Sequence, residues 1–250
     1  MTEPNKEPQS GYRGLASYYA DLFPVSQPLA DFLLPLVNLC REGRHAWLDV
    51  GCGTGALVHW LLDQGVNAFG VDPDRDFIEE AKRQSAEREG HFGIGGMDDF
   101  GPSAQSDFGV VTCLGNVLAH AEDLTHVDRF LERTSRSLLP DGRLIIQTVN
   151  YDRVLKNEDF TFPVLERTAA DGETLGFHRK YSWRADRLLF ETRLEVGHQI
   201  FENQSLLLPL KVEALDSLVR NHFVGAEKWG DFEKHPWTSD SPATIFLCRK

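Results

Sequence analysis

Between Ala46 and Asn150 the chain switches repeatedly between short apolar runs and amphipathic segments, and this cadence restricts its architecture more than any other feature. AWLDVG at 46–51 reads as a strand, ALVHWLLDQG at 56–65 as a helix closed by Gly65, NAFGVD at 67–72 as a strand and RDFIEEAKRQSAE at 75–87 as a helix. HFGIG at 91–95 and DFGVVTCL at 107–114 supply two more strands, LTHVDRFLERTSRSLL at 124–139 a helix stopped by Pro140, and GRLIIQTVN at 142–150 a fifth strand. Strands separated by helices at this spacing predict a parallel, doubly wound α/β sheet covered on both faces.

The flanks follow other rules. Residues 1–11 are polar and read as a disordered tail. From Tyr12 to Cys40, Leu29, Phe32, Leu33, Leu36 and Val37 recur at helical spacing, with Pro28 near a start and Pro35 as an interruption, which predicts a helical cap of one or two helices completing a unit over 12–150. After Asn150 the period becomes two. ETLGFHRKYSW, RLLFETRLEV and HQIFENQSLLLPL predict a small antiparallel β insertion within 151–210, turning at RAD and at Gly197. Over 211–250 a helix, VEALDSLVRNH, and two strands around FVGAEKW and ATIFLCRK complete the core sheet.

Charge and cysteine usage narrow the partners. A net charge of −12 disfavours a phosphate backbone, so no nucleic-acid partner is expected. Cys40, Cys52, Cys113 and Cys248 are scattered, which argues against disulfides and structural zinc. The apolar windows are too short for a bilayer, and no signal pattern opens the chain, so a cytoplasmic location without a membrane partner is expected. Oligomeric state is left open.

The turn after the first strand, WLDVGCGTGALVHWL, carries Gly51, Gly53 and Gly55 at alternate positions. In a doubly wound sheet a ligand sits at the carboxyl ends of the strands, and glycines let it approach bare backbone. Read as GxGxxA the turn fits a dinucleotide; read as DxGxGxG, with Asp49, it resembles the loop of Rossmann-like S-adenosylmethionine-dependent methyltransferases. A carboxylate two residues before the first glycine repels a pyrophosphate but welcomes an ammonium and a sulfonium. Asp72, ending the second strand in GVD, is placed to accept hydrogen bonds from ribose hydroxyls in either case.

LDVGCGTG at 48–55, GVDP at 70–73, GMDDF at 96–100, DFGVVTCLGNVLAH at 107–120 and LLPDGRLII at 138–146 together resemble class I S-adenosylmethionine-dependent methyltransferases, from about Tyr12 to the end of the chain. The resemblance implies a Rossmann-like, seven-stranded sheet with its last strand antiparallel. It places S-adenosyl-L-methionine as cofactor against Asp49 (methionine moiety), Gly51, Cys52, Gly53, Gly55, Asp72 (ribose), Pro73 and Leu114. Met97 and Asp98 fall where such enzymes hold adenine, although Gly96 stands where many have an acid. Tyr18 and Tyr19 lie on the segment that folds over the donor in this class, positioned for cation–π contact with the sulfonium. CLGNVLAH with NYDRVL at 150–155 looks like the segment of glycine and sarcosine N-methyltransferases, implying a small-molecule acceptor and bringing in Tyr151. No NPPY-type signature follows the fourth strand.

Methyl transfer from a sulfonium is an in-line displacement that needs alignment more than it needs a metal. His120 is the candidate general base, and Asn116 the candidate for fixing acceptor or donor. Alternatively, His120 caps its loop and Asn116 is a turn residue. On the insertion, Arg179, Tyr181 and Trp183 share one strand face; Arg193 joins them if the turn register allows, and inward-facing arginines suit a carboxylate-bearing acceptor. His59, His126, His178 and His235 do not cluster at metal-ligand spacing and are expected at surface or helix positions. The expected function is methyl transfer to a small polar metabolite at nitrogen or oxygen. An NAD(P)-dependent oxidoreductase and a non-catalytic S-adenosylmethionine sensor or scaffold are the alternatives.

Overall fold

The structure, a computed structural model, describes residues 14–101, 107–156 and 159–250; the expected tail over 1–11 lies outside them. Two helices come first, α1 (Ala16–Leu22) and α2 (Gln27–Gly43). Ser26 caps α2 by accepting the Leu29 N–H at 3.4 Å, and Pro28 occupies the first turn, where a missing N–H costs nothing. Pro35 does not interrupt the helix. Burial of Phe32, Leu33, Leu36, Val37 and Cys40 along one face offsets the single backbone bond that proline removes.

Then follow β1 (Ala46–Val50), α3 (Ala56–Asp63), β2 (Ala68–Asp72), α4 (Arg75–Arg83), β3 (Phe92–Ile94), β4 (Phe108–Cys113), α5 (Leu124–Ser137) and β5 (Leu138–Val149). Two boundaries differ from expectation. α4 stops at Arg83, beyond its buried Phe77, Ile78 and Ala81, and a 3-10 turn over Ala86–His91 completes the connection. α5 ends before Pro140, because Leu138 is already extended and paired with Phe108 of β4. The remaining elements are α6 (Tyr151–Val154), β6 (Asp159–Thr161), β7 (Leu165–Thr168), β8 (Thr174–Arg184), β9 (Arg187–Val196), β10 (Gln199–Leu207), α7 (Val212–His222), β11 (Gly225–Trp229) and β12 (Ala243–Arg249).

The main sheet has seven strands in the order β11-β12-β5-β4-β1-β2-β3, and β12 runs antiparallel to both its neighbours. This is the doubly wound, Rossmann-like arrangement expected. Alternate residues serve its two faces. Leu48, Val111, Leu144 and Ile146 pack with Phe130 and Leu131 of α5, whereas Trp47, Val110 and Ile145 pack with Leu33 of α2 and Val58 and Leu61 of α3. The connections leaving β1 and β4 diverge, so the turn after β1 and the loop after β4 flank a crevice at the carboxyl edge of the sheet.

The second sheet has the order β10-β9-β8-β6, with β7 also paired to β8. Two-residue turns with positive φ at Ala185 and Gly197 join β8 to β9 and β9 to β10. Leu175 and Phe177 of β8 and Leu194 and Val196 of β9 cover Leu15 and Leu22, so α1 is held between the two sheets. Among the described residues no single helix is long and apolar enough to cross a membrane.

Candidate active site

The three turn glycines all have left-handed backbone, with φ of +77° at Gly51, +53° at Gly53 and +81° at Gly55. A Cβ at Gly51 would lie 2.3 Å from Val117 Cγ2, and one at Gly55 would lie 2.5 Å from Phe92 Cε1. At both positions the protein's own side chains crowd the backbone, a requirement the sequence reading had assigned to a ligand. At Gly53 the neighbour is the Tyr19 ring, 3.1 Å away. The turn's amides are also committed internally. Gly51 and Cys52 donate to Val71 O at 2.8 and 3.0 Å, Gly55 to Cys52 O at 2.9 Å, and Gly53 to Asp72 Oδ2 at 2.9 Å.

Two buried carboxyls border this turn: Asp49 is 5% exposed and Asp72 7%. Thr112 Oγ1 donates to Asp49 Oδ1 at 2.7 Å and accepts from Trp47 Nε1 at 3.1 Å. Burial pushes Asp49 up to about 7; the Thr112 hydrogen bond opposes the rise and the nearby Asp72 charge adds to it. Asp72 also accepts the Asp74 N–H at 2.9 Å. Burial pushes it up to about 6 against the lowering effect of its two amide donors. Cys52 is buried beside both acids, and its thiol is pushed well above its usual range, first by burial and then by their charges.

On the β4 side, Leu114 is half-buried and Asn116 adopts left-handed backbone at φ +71°. The Asn116 amide is fully engaged: Nδ2 donates to the Tyr151 hydroxyl at 3.0 Å and the Tyr181 hydroxyl at 3.4 Å, while Oδ1 accepts the Val149 N–H at 3.0 Å. Asn116, Tyr151 and Tyr181 thus meet, joining the loop after β4 to α6 and to the second sheet. Both tyrosines are buried, with ring centroids 6.2 Å apart. His120 stands at the end of a 3-10 turn over Val117–His120, and that turn is tied down by Leu208 N–H donating to Ala119 O at 2.7 Å. Arg187 adds hydrogen bonds to the carbonyls of Ala121 and Glu122. The His120 ring is exposed to solvent, yet the loss of hydration from surrounding protein lowers its pKa below the usual imidazole value.

At the expected adenine end, Met97 is half-buried against the core and Pro73 is exposed. Asp98 Oδ1 lies 3.2 Å from His126 Nε2. His126 Nδ1 accepts the Glu122 N–H at 3.2 Å, so a neutral ring carries its proton on Nε2, which makes no hydrogen bond among the described residues. His126 is buried on α5, and His59 is half-buried on α3 with its Nε2 3.1 Å from Ala81 O.

On the second sheet, Arg179 shares the inner face with Leu175, Phe177 and Tyr181. Its guanidinium lies 5.0 Å from the Phe162 ring centroid and 5.6 Å from that of Phe177, and it donates to Pro163 O at 3.2 Å. Among the described residues its Nε is buried without a partner. Arg193 does not join it. The register pairs Arg179 with Thr192 and Arg193 with His178, which puts Arg193 on the outer face, bonded to Glu195 at 3.0 Å. Trp183 is exposed at the end of β8. The sequence reading missed Thr112 and Phe162, because each reaches its partner only through tertiary pairing. It also missed Gln147, whose Oε1 accepts the Gly115 N–H at 2.7 Å. His235 lies at the surface as expected, but it is not isolated from other ligand types: its Nδ1 approaches Asp231 Oδ2 at 2.9 Å and Glu233 Oε2 at 3.8 Å.

Residues 48–144 match a family described as a methyltransferase domain. The chain is 32% identical over 146 residues to the dTDP-3-amino-3,6-dideoxy-alpha-D-glucopyranose N,N-dimethyltransferase of Streptomyces fradiae, covering 56% of this chain and 55% of that protein. It is 29% identical over 140 residues to the glycine N-methyltransferase of Rattus norvegicus, covering 50% and 48%. The aligned segment spans about half the length of these curated relatives. Among solved structures, an S-adenosylmethionine-dependent methyltransferase from Clostridium acetobutylicum superposes with a TM-score of 0.74 at 17% identity, over 96% of this chain and 99% of that one. The sugar N-methyltransferase KedS8 from Streptoalloteichus superposes with a TM-score of 0.65 at 20% identity, over 96% and 91%. These two likenesses are of fold.

Proposed function

Since residues 48–144 match a methyltransferase-domain family and the chain has the fold of S-adenosylmethionine-dependent methyltransferases, we propose that the protein methylates a small polar metabolite at nitrogen or oxygen. An amino group on a sugar or amino acid is the favoured acceptor, by similarity to the two curated relatives. The pair of buried carboxyls at the glycine turn carries the reading. A site that holds Asp49 near pKa 7 and Asp72 near 6 gains from a cation, which restores both charges without returning them to water. A pyrophosphate would meet those acids and a turn whose Gly51, Cys52, Gly53 and Gly55 amides are already committed. This disfavours a nicotinamide coenzyme.

S-adenosylmethionine, when bound, supplies a methyl group already activated on a sulfonium. The chain's own residues then have three tasks. Asp49 and Asp72 hold the donor's cationic and ribose groups, with Gly53 and Tyr19 forming the adjoining surface and Met97, Asp98, Pro73 and Leu114 completing the wall. His120, kept neutral at pH 7 by its lowered pKa, takes a proton from the acceptor. Arg179 anchors an anionic group of the acceptor through donors left over from Pro163, while Tyr151, Tyr181 and Asn116 fix the roof above it.

Calorimetric titration with S-adenosylmethionine, S-adenosylhomocysteine and NADH tests the donor. Binding of the first two and none of the third is expected. Incubation with S-adenosylmethionine and pools of amino sugar nucleotides or amino acids, followed by mass spectrometry, tests the reaction by the gain of one methyl. Binding without any methylated product would make the protein a ligand-binding module. His120→Gln should lower turnover at pH 7 at least tenfold with donor affinity unchanged.

A further inference from the structure

β10 is the outer edge of the second sheet. It pairs with β9 through all of Gln199–Leu207 without a register break and, among the described residues, with no strand on its other side. An edge of this length offers a row of unpaired N–H and C=O groups, and chains usually guard such edges with lysine, proline, a bulge or a very short strand. β10 has none of these, and its single charged residue is Glu202. It exposes instead Ile200 at 54% and Leu206 at 55%, both on the outer face. Leu189, opposite Leu206 on β9, continues the apolar stripe.

Ile200 and Leu206 are placed symmetrically about Asn203. We propose that β10 pairs with β10 of a second copy of this chain, antiparallel, about a two-fold axis through Asn203. Ile200 then lies opposite the partner's Leu206, and Leu206 opposite the partner's Ile200, so all four exposed apolar side chains are covered. Glu202 faces the partner's Gln204, and Phe201 the partner's Ser205. Neighbouring registers are worse. Centring on Glu202 sets two carboxylates face to face, and centring on Gln204 sets Leu206 against the partner's Glu202. The two second sheets become one continuous sheet across the axis.

Sedimentation velocity on the full chain should give twice the mass of one copy. Asn203→Cys should yield a disulfide-linked dimer on mild oxidation while Ile200→Cys does not, because only position 203 meets itself across the axis; the native cysteines are all buried. Ile200→Lys with Leu206→Lys should give a folded monomer with an unchanged circular dichroism spectrum. Ile200→Lys with Leu206→Glu should dimerise, since each new charge meets its opposite on the second copy. A monomeric wild type overturns the proposal, as does a dimer that the like-charge pair leaves intact or that links through position 200. Slow amide exchange along β10 in a monomer would assign the edge to another segment of the chain and also overturns it.

Discussion

Asp49 and Asp72 show how a single side chain can couple ligand binding to pH. Both titrate above their ordinary value of 3.8, so from there to about 7 the folded chain binds more protons than the unfolded one. The ligand-free protein therefore loses stability as pH rises through that window, and the contribution is fully present only below it. Asp49→Asn keeps an acceptor for Thr112 and should raise the free energy of urea unfolding at pH 8, by up to a few kcal/mol at roughly 1.4 kcal/mol per pKa unit, with little change at pH 4. The same variant should weaken S-adenosylmethionine binding roughly 10- to 100-fold, about 1.4–2.8 kcal/mol, at pH 8 in calorimetry. Asn116→Gly relieves the left-handed backbone but removes the amide that bonds two buried tyrosine hydroxyls and the Val149 N–H, so it should still destabilise by about 1–3 kcal/mol in urea. Asp49 and Asp72 were legible in the sequence because their spacing from the glycines is local. Thr112 was not, since it reaches Asp49 from 63 residues away. Asn116 was singled out, but its service to Tyr151 and Tyr181 needed the second sheet in place.

At the level of elements, the glycine turn combines two demands that substitution can separate. Gly51→Ala and Gly55→Ala meet both positive φ and side chains within 2.5 Å, whereas Gly65, at φ +77° closing α3, has open space around it. Gly65→Ala should cost about 1–2 kcal/mol in thermal unfolding and the other two distinctly more. α7 and the strands of the main sheet were readable because apolar periodicity survives over a full element, as at Leu215 and Val219. β6 and β7 were not. They span three and four residues, bury almost nothing and exist only because β8 offers them an edge. Strand parity likewise predicted that Arg179 belongs with Tyr181, but it could not fix the hairpin register that sends Arg193 to the opposite face. Arg179→Met should therefore raise KM for an anionic acceptor at least tenfold, and Arg193→Met should leave it within twofold, in steady-state assays with saturating donor.

Across the whole molecule, α1 is the piece that neither sheet can do without. Tyr19 packs on Gly53 and on Phe77 of α4, with ring centroids 4.8 Å apart in the latter contact, while Leu15, Leu22 and Phe23 pack beneath the second sheet against Phe177 and Leu194. The sequence placed this helix ahead of the core, but not between the sheets, because its contacts come from residues on distant elements, Gly53, Phe77, Phe177 and Leu194. One helix of seven residues thus packs on the glycine turn with one side and under the second sheet with the other. On the proposed reading the donor lies beneath this helix and the acceptor arrives over it. Initial-rate and product-inhibition patterns should accordingly be those of a compulsory order, methyl donor entering first and its demethylated remnant leaving last.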